Sequence, residues 1–312
     1  MTMSRRRFLA GLGLGGGGLG VVAALRSLGG HGPRPAVAAG TSRDVEPYGD
    51  GPLQRGEWWV PPAASALLSA TGRLPTVVLV HGGYWGPGYD RHLEDALAAD
   101  LAGRGYLCWN LDYAAADMPW PSTLRDVAAG YDHLLAGRHA DRVDPRRVAV
   151  VGHSAGGHLA LWLASRQGAF ARPAGVSAPA LAVGQAPVAA LADAFRENLG
   201  GGAVGRLLGG SPTQVPDRYR AADPVALLPS HAHTVLIHGR TDQIVPTSQS
   251  ETYQAAATAA GDDCRLERVA GGHFEHLDPR SAAVAQLRVT LAGFLGVPGP
   301  PPSANVVESP AP

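Results

Sequence analysis

An apolar run, Arg147-Val148-Ala149-Val150-Val151, ends in Gly152-His153-Ser154-Ala155-Gly156-Gly157 and continues as His158-Leu159-Ala160-Leu161-Trp162-Leu163. The β-branched run reads as a buried strand and the segment after it as a helix. Between them there is room only for a sharp turn, in which glycines at 152 and 156 keep Cβ atoms out of the way. Such a turn presents Ser154 at the carboxyl end of a sheet and sets the positive end of a helix beneath it. The pattern G-x-S-x-G is common in itself; the strand before it and the helix after it make it informative.

The same alternation runs through most of the chain. Residues 56–60, 76–80, 106–111, 234–238 and 265–269 read as strands, and 90–104, 124–136, 251–260 and 281–295 as helices. Strand–helix alternation predicts right-handed crossovers and an α/β fold, a mostly parallel central sheet with helices on both faces. One catalytic domain is expected over 54–296. The rhythm breaks between 191 and 229, where Gly200-Gly201-Gly202, Gly209-Gly210 and several prolines read as a small helical insertion. Residues 39–53, polar and rich in Gly and Pro, read as a linker, and 297–312 as a Pro-rich disordered tail.

Residues 1–38 read as an address. Ser4-Arg5-Arg6-Arg7-Phe8-Leu9 precedes a Gly/Leu/Ala/Val stretch, and Ala36-Val37-Ala38 supplies small residues for cleavage. The arginine pair followed by Phe8-Leu9 resembles twin-arginine export signals, which implies the Tat machinery as a partner and an extracellular or periplasmic destination. The stretch carries too many glycines for a good spanning helix, so no stable membrane insertion is expected after cleavage. Gly11-Leu12-Gly13-Leu14-Gly15-Gly16 fits G-x-G-x-x-G, but no strand precedes it and no acid follows about 20 residues on, so it does not read as a dinucleotide site.

Lys plus Arg and Asp plus Glu are both 26, and residues 1–38 hold five Arg and no acid, so the chain beyond them has 26 − 5 = 21 basic against 26 acidic groups, a net of −5. That balance gives no general attraction to nucleic acid. The sequence has no lysine, which excludes Schiff-base lysines, P-loop lysines and Ser-x-x-Lys acylases. Cys108 and Cys264 each sit in an expected buried strand and read as unpaired thiols.

A serine nucleophile needs a base, and the base an orienting acid. After Ser154, the strand at 234–238 ends in Gly239-Arg240-Thr241-Asp242, and the strand at 265–269 ends in Ala270-Gly271-Gly272-His273. Asp242 and His273 thus fall at the carboxyl ends of strands, where such sheets place their chemistry. His276 is the rival base and Asp223, in the insertion, a rival acid. The oxyanion donors are expected to be the N–H of Ala155 and one from His81-Gly82-Gly83-Tyr84-Trp85, with Gly83 and Tyr84 as candidates. Tyr84, Trp85 and Trp120 are candidates to line a pocket, with packing beneath the loops as their alternative role. Twelve histidines invite a metal reading, but there is no H-E-x-x-H and no cysteine pair at zinc spacing. His153 and His158 read as packing residues of the turn and helix.

His81-Gly82-Gly83, the 152–157 motif, Asp242 and His273 together resemble the α/β-hydrolase family in its carboxylesterase and acyl-hydrolase branch, over most of residues 53–296. The run H-G-G-Y-W also resembles kynurenine formamidases, which hydrolyse an N-formyl amide. Hormone-sensitive-lipase-like esterases usually carry a third glycine where this chain has Tyr84. The resemblance implies a Ser-His-Asp triad, an acyl-enzyme intermediate, a small-molecule acyl substrate and no cofactor. N-formyl amide hydrolysis, an exported peptidase and a non-catalytic binding module are its alternatives.

Overall fold

The computed structural model describes residues 35–63, 71–230 and 232–296. Residues 1–34 of the expected signal and the expected tail at 297–312 lie outside these. The sheet has eight strands: β1 (Ser42–Pro47), β2 (Arg55–Val60), β3 (Leu74–Val80), β4 (Leu107–Leu111), β5 (Val143–His153), β6 (Leu181–Gln185), β7 (His233–Gly239) and β8 (Cys264–Val269). Their spatial order is β1-β2-β4-β3-β5-β6-β7-β8. β1 and β2 pair antiparallel, as do β2 and β4, and every later pairing is parallel.

All seven residues of β3 are buried, which explains why its sequence is apolar without alternation: both faces of this central strand are covered. Successive β3 side chains point to opposite sides. Val78 and Val80 join the core on one face and Val77 and Leu79 the core on the other. Helices α1 (Asp95–Gly103) and α8 (Ala282–Leu295) cover the second face through Leu97, Leu101, Leu287 and Leu291. Helices α2 (Ser122–Asp132) and α3 (Ala155–Ser165) cover the first through Leu124, Val127, Leu159 and Leu163. Helix α7 (Ser248–Ala259) packs Tyr253 and Ala257 against Leu161 and Leu236. Helix α3 is buried at every position, so the element that follows the Ser154 turn is enclosed in the core.

Between β6 and β7 lie the short helices α4 (Leu191–Arg196), α5 (Ala203–Leu208) and α6 (Pro216–Ala222), and a 3-10 turn at Pro224–Leu227. They occupy the segment at 191–229. Asp223 is built into it, accepting the N–H groups of Ala192 and Val225 at 3.1 and 3.2 Å, and burial raises its pKa.

Two expectations are corrected. Residues 39–53 are not a plain linker, because β1 lies within them. That strand is mostly exposed and is held by its backbone ladder to β2 and by ends such as Glu46, which accepts the Trp58 indole N–H at 2.7 Å. β6 was not expected at all. The cysteines are unpaired, and β4 and β8 stand five strand spacings apart, about 24 Å at ~4.8 Å each, far beyond disulfide reach. Cys264 is only half-buried, since β8 is a sheet edge.

Candidate active site

β5 ends at His153, and Ser154 takes φ 58°, ψ −118° before α3 begins at Ala155. That conformation is costly for any residue with a Cβ, about 1–3 kcal/mol, and persists only where the surroundings enforce it. They do so here by crowding. A methyl group on Gly152 would strike the Gly156 carbonyl, and one on Gly156 the Val80 carbonyl. The turn therefore fits only because both positions are glycine. The Ser154 N–H donates to the Gln185 carbonyl at 2.8 Å and its carbonyl accepts from Val188 at 3.3 Å. β6, absent from the sequence reading, thus holds the serine backbone.

The loop after β3 passes directly over this turn. A Cβ on Gly82 would sit 2.9 Å from the His153 carbonyl oxygen and 3.2 Å from the Ser154 Cβ. Tyr84 and Trp85 have φ of 53° and 54°, so the expected oxyanion loop is strained at two non-glycine residues. His81 anchors its start: the ring stacks on Tyr113 at 4.1 Å, and the Tyr113 hydroxyl donates to the His81 carbonyl at 2.7 Å. Gly82 is the residue at the crossing, and Gly83 and Tyr84 follow it, with Gly83 against the Tyr89 ring. Ala155 opens α3, whose first-turn N–H groups have no carbonyl partner within the helix. Trp85 is buried, edge-on to His158 with 5.2 Å between ring centres. It packs beneath the loop. Tyr84 and Trp120 remain half-buried.

Asp242 and His273 are brought together. The His273 Nδ1 lies 2.7 Å from the Asp242 Oδ2. The other carboxylate oxygen accepts the N–H groups of Ile244 and Val245 at 2.8 and 2.9 Å. Burial alone would raise the Asp242 pKa. Hydrogen bonds from His238 and His273, with the Ile244 N–H, outweigh it and hold the carboxyl well below the usual range. The acid is therefore an anion fixed at both oxygens, with its charge beside the His273 ring.

Two histidines at this site were not given site roles from sequence. His238, at the end of β7, lies 3.4 Å from the Asp242 Oδ2. Its Nε2 is 3.0 Å from the Val245 carbonyl and its Nδ1 2.7 Å from the Ser250 hydroxyl. A carbonyl can only accept, so Nε2 carries a proton. His153 places its Nε2 2.9 Å from the His273 carbonyl oxygen. Nothing in the sequence around either residue announces these contacts, which depend on which loops meet.

The rival base His276 is fully buried, and burial pushes its pKa down to about 3. Its ring faces His153 at 5.7 Å; the residue bonded to Asp242 is His273. Of possible metal ligands among the described residues, Glu57, His92 and Asp95 bring ligand atoms within 4.8 Å of one another. They lie by β2 and the start of α1, where the His92 Nδ1 is 2.9 Å from the Asp95 Oδ2 and the Asn110 amide 3.4 Å from the Oδ1.

An eight-stranded, mostly parallel sheet with this strand order and helices on both sides is the α/β-hydrolase fold. The chain belongs to the BD-FAE family, whose model matches residues 68–256. Among curated proteins it is 28% identical over 239 residues to Esterase LipQ of Mycobacterium tuberculosis, covering 74% of this chain and 55% of LipQ. It thus spans about half the length of that relative. Esterase B of Lactobacillus rhamnosis superposes with a TM-score of 0.71 at 19% identity, covering 88% of this chain and 90% of that one. The butyrate-bound esterase Est2 of Thermogutta terrifontis superposes at 0.63 and 20% identity, covering 84% and 97%.

Proposed function

We propose that this protein is a serine carboxylesterase in which Ser154 attacks an acyl carbonyl, His273 takes and returns the proton, and Asp242 holds the imidazole. The observation that carries the reading is the Asp242–His273 hydrogen bond of 2.7 Å, formed at the sheet end where Ser154 stands in its strained turn. With Nδ1 bonded to the carboxylate, the His273 Nε2 is the nitrogen left to act on the serine hydroxyl. As the imidazole gains a proton, the fixed Asp242 anion stabilises it. The oxyanion that forms on the substrate is met by the N–H of Ala155 and one of Gly83 or Tyr84, each such donor contributing about 3 kcal/mol in the transition state. Alkoxide departs with the proton from His273, and water repeats the cycle on the acyl-enzyme.

The substrate class is a short acyl ester. Kinship with Esterase LipQ supports ester cleavage, and butyrate in the Est2 structure supports a small acyl group. An amide would need a device to position and protonate the amine side, and the H-G-G-Y-W run at 81–85 is the sole pointer toward one. The test is a p-nitrophenyl ester chain-length series run beside N-formylkynurenine and an aminoacyl-naphthylamide. Esters of about two to six acyl carbons should give the highest kcat/KM; an amide exceeding the best ester tenfold, about 1.4 kcal/mol, would reassign the reaction. We also propose that residues 1–38 direct export by the Tat route. Replacing Arg5 and Arg6 with lysines should then leave the protein in the cytoplasm, and unchanged export would refute this.

A further inference from the structure

The residue that precedes the nucleophile also holds the loop that carries the base. His153 is 1% exposed, at the last position of β5. Its Nε2 lies 2.9 Å from the main-chain carbonyl oxygen of His273, across 120 residues of sequence. The two rings stand 4.6 Å apart, tilted by 48°. Because the partner is a carbonyl, Nε2 must carry the hydrogen.

His273 is therefore gripped at two points. Asp242 takes the side chain at Nδ1 and sets the rotation of the ring. His153 takes the main chain and sets where the Cα stands. On the other side of the loop, the Gly271 carbonyl accepts from Thr241 at 3.1 Å and the Gly272 N–H donates to Glu275 at 3.0 Å. Those bonds end one residue short of His273. We infer that His153 is a positioning residue for the proposed triad, tying the backbone of the general base to the same turn that fixes Ser154. The inference rests on the Ser154–His273–Asp242 reading above.

The surroundings suit a neutral tether. Burial first, and then the neighbouring His273 and His276, push the His153 pKa well below its ordinary value. His276 behind it is buried and equally uncharged. Gln185, the β6 residue in register with His153, is neutral too. Asp242 is thus the charge that answers the imidazolium forming on His273. A protonated His153 would oppose that imidazolium.

Gln is the matched replacement, because its amide nitrogen stands as many bonds from the Cα as the histidine Nε2. Asn is one bond shorter and cannot reach the same carbonyl. The experiment measures kcat and KM on a short p-nitrophenyl ester, the rate of fluorophosphonate labelling of Ser154, and Tm, for the wild type and for His153→Gln, His153→Asn and His153→Ala. Displacement of the base by about 1 Å predicts a loss of up to about 100-fold. His153→Asn and His153→Ala should lose about 10- to 100-fold in both kcat and labelling rate, with KM held within about threefold, while His153→Gln recovers most of the loss. A purely structural role would move Tm without this rescue. Should His153→Ala fail to fold, the Gln and Asn variants carry the comparison. Equal rates for Gln and Asn, or a change in KM alone, would overturn the tether while labelling of wild type but not Ser154→Ala leaves the triad standing. Labelling of Ser154→Ala at the wild-type rate would sink both.

Discussion

Replacing Glu94 with Gln should stabilise the protein in a pH-dependent way. Glu94 sits at the start of α1, where the helix dipole favours a negative charge by about 0.3–1 kcal/mol. Its side chain is nevertheless 2% exposed, and its Oε1 has no hydrogen-bond partner among the described residues. Burial, and then the charge of Asp95, push its pKa from 4.5 up to about 8. Desolvation therefore defeats the dipole several-fold. The folded state holds this proton more tightly than the unfolded chain, so the stability it confers is complete below pH 4.5 and is lost as pH rises toward 8. The loss runs at about 1.4 kcal/mol per pH unit, or about 2.7 kcal/mol between pH 5 and pH 7. Gln keeps the shape and removes the titration. At about 2–4 °C per kcal/mol for a chain of this size, the Tm gap between variant and wild type should widen by about 5–10 °C from pH 5 to pH 7, then level off above pH 8. Thermal melts followed by circular dichroism at half-unit pH steps give the result. A gap that stays constant across that range would refute the reasoning.

Ser154→Ala and His273→Ala should each lose about 10⁴-fold in kcat, because members of the proposed triad would act as a unit, whereas His276→Ala should lose far less; steady-state kinetics on one ester decide it. Ser154→Gly should melt about 2–4 °C above Ser154→Ala, since glycine relieves the positive φ at a smaller entropic cost; equal melting temperatures would show that the turn is not strained. His158 and His276 are held neutral by burial, with pKa values near 4 and 3. The unfolded chain takes up their protons and the folded one does not, so stability should fall as pH drops from about 6.5 toward 4, by about 2.7 kcal/mol per unit for the pair. Urea unfolding in the Glu94→Gln background would expose that slope, and a flat profile would contradict it.

Much of this was legible in the sequence because apolar burial writes itself into residue order. β3 and the second half of β5, from Val148 on, are buried at every position, and their runs of Val and Leu could hardly be read otherwise. The Ser154 turn was legible because sterics demand glycine at 152 and 156. Two strands escaped for opposite reasons. β1 carries Arg43, Asp44 and Glu46 on an exposed edge and is held by its backbone, which leaves no apolar signature. β6 is five residues long and contains Gly184, between prolines at 179 and 187, so it resembles a turn-rich loop. Asp242 and His273 could be placed by their position after strands. The contacts of His238 and His153 could not, because they join loops far apart in the chain.

The buried face of α3 has a consequence for modularity. The His158 Nε2 lies 2.9 Å from the Ala222 carbonyl oxygen, and the Trp162 indole N–H donates to that of Ala221 at 2.9 Å. The C-terminal end of the insertion is thereby bolted to the helix that issues from Ser154, and its first turn is tied to that same end by the Ala192 N–H, which donates to Asp223 at 3.1 Å. The segment at 191–229 is therefore not a freely exchangeable cassette. A chimera that takes it from a relative must take side chains equivalent to His158 and Trp162 with it, four residues apart on one face of α3, or the graft will arrive without its fastening.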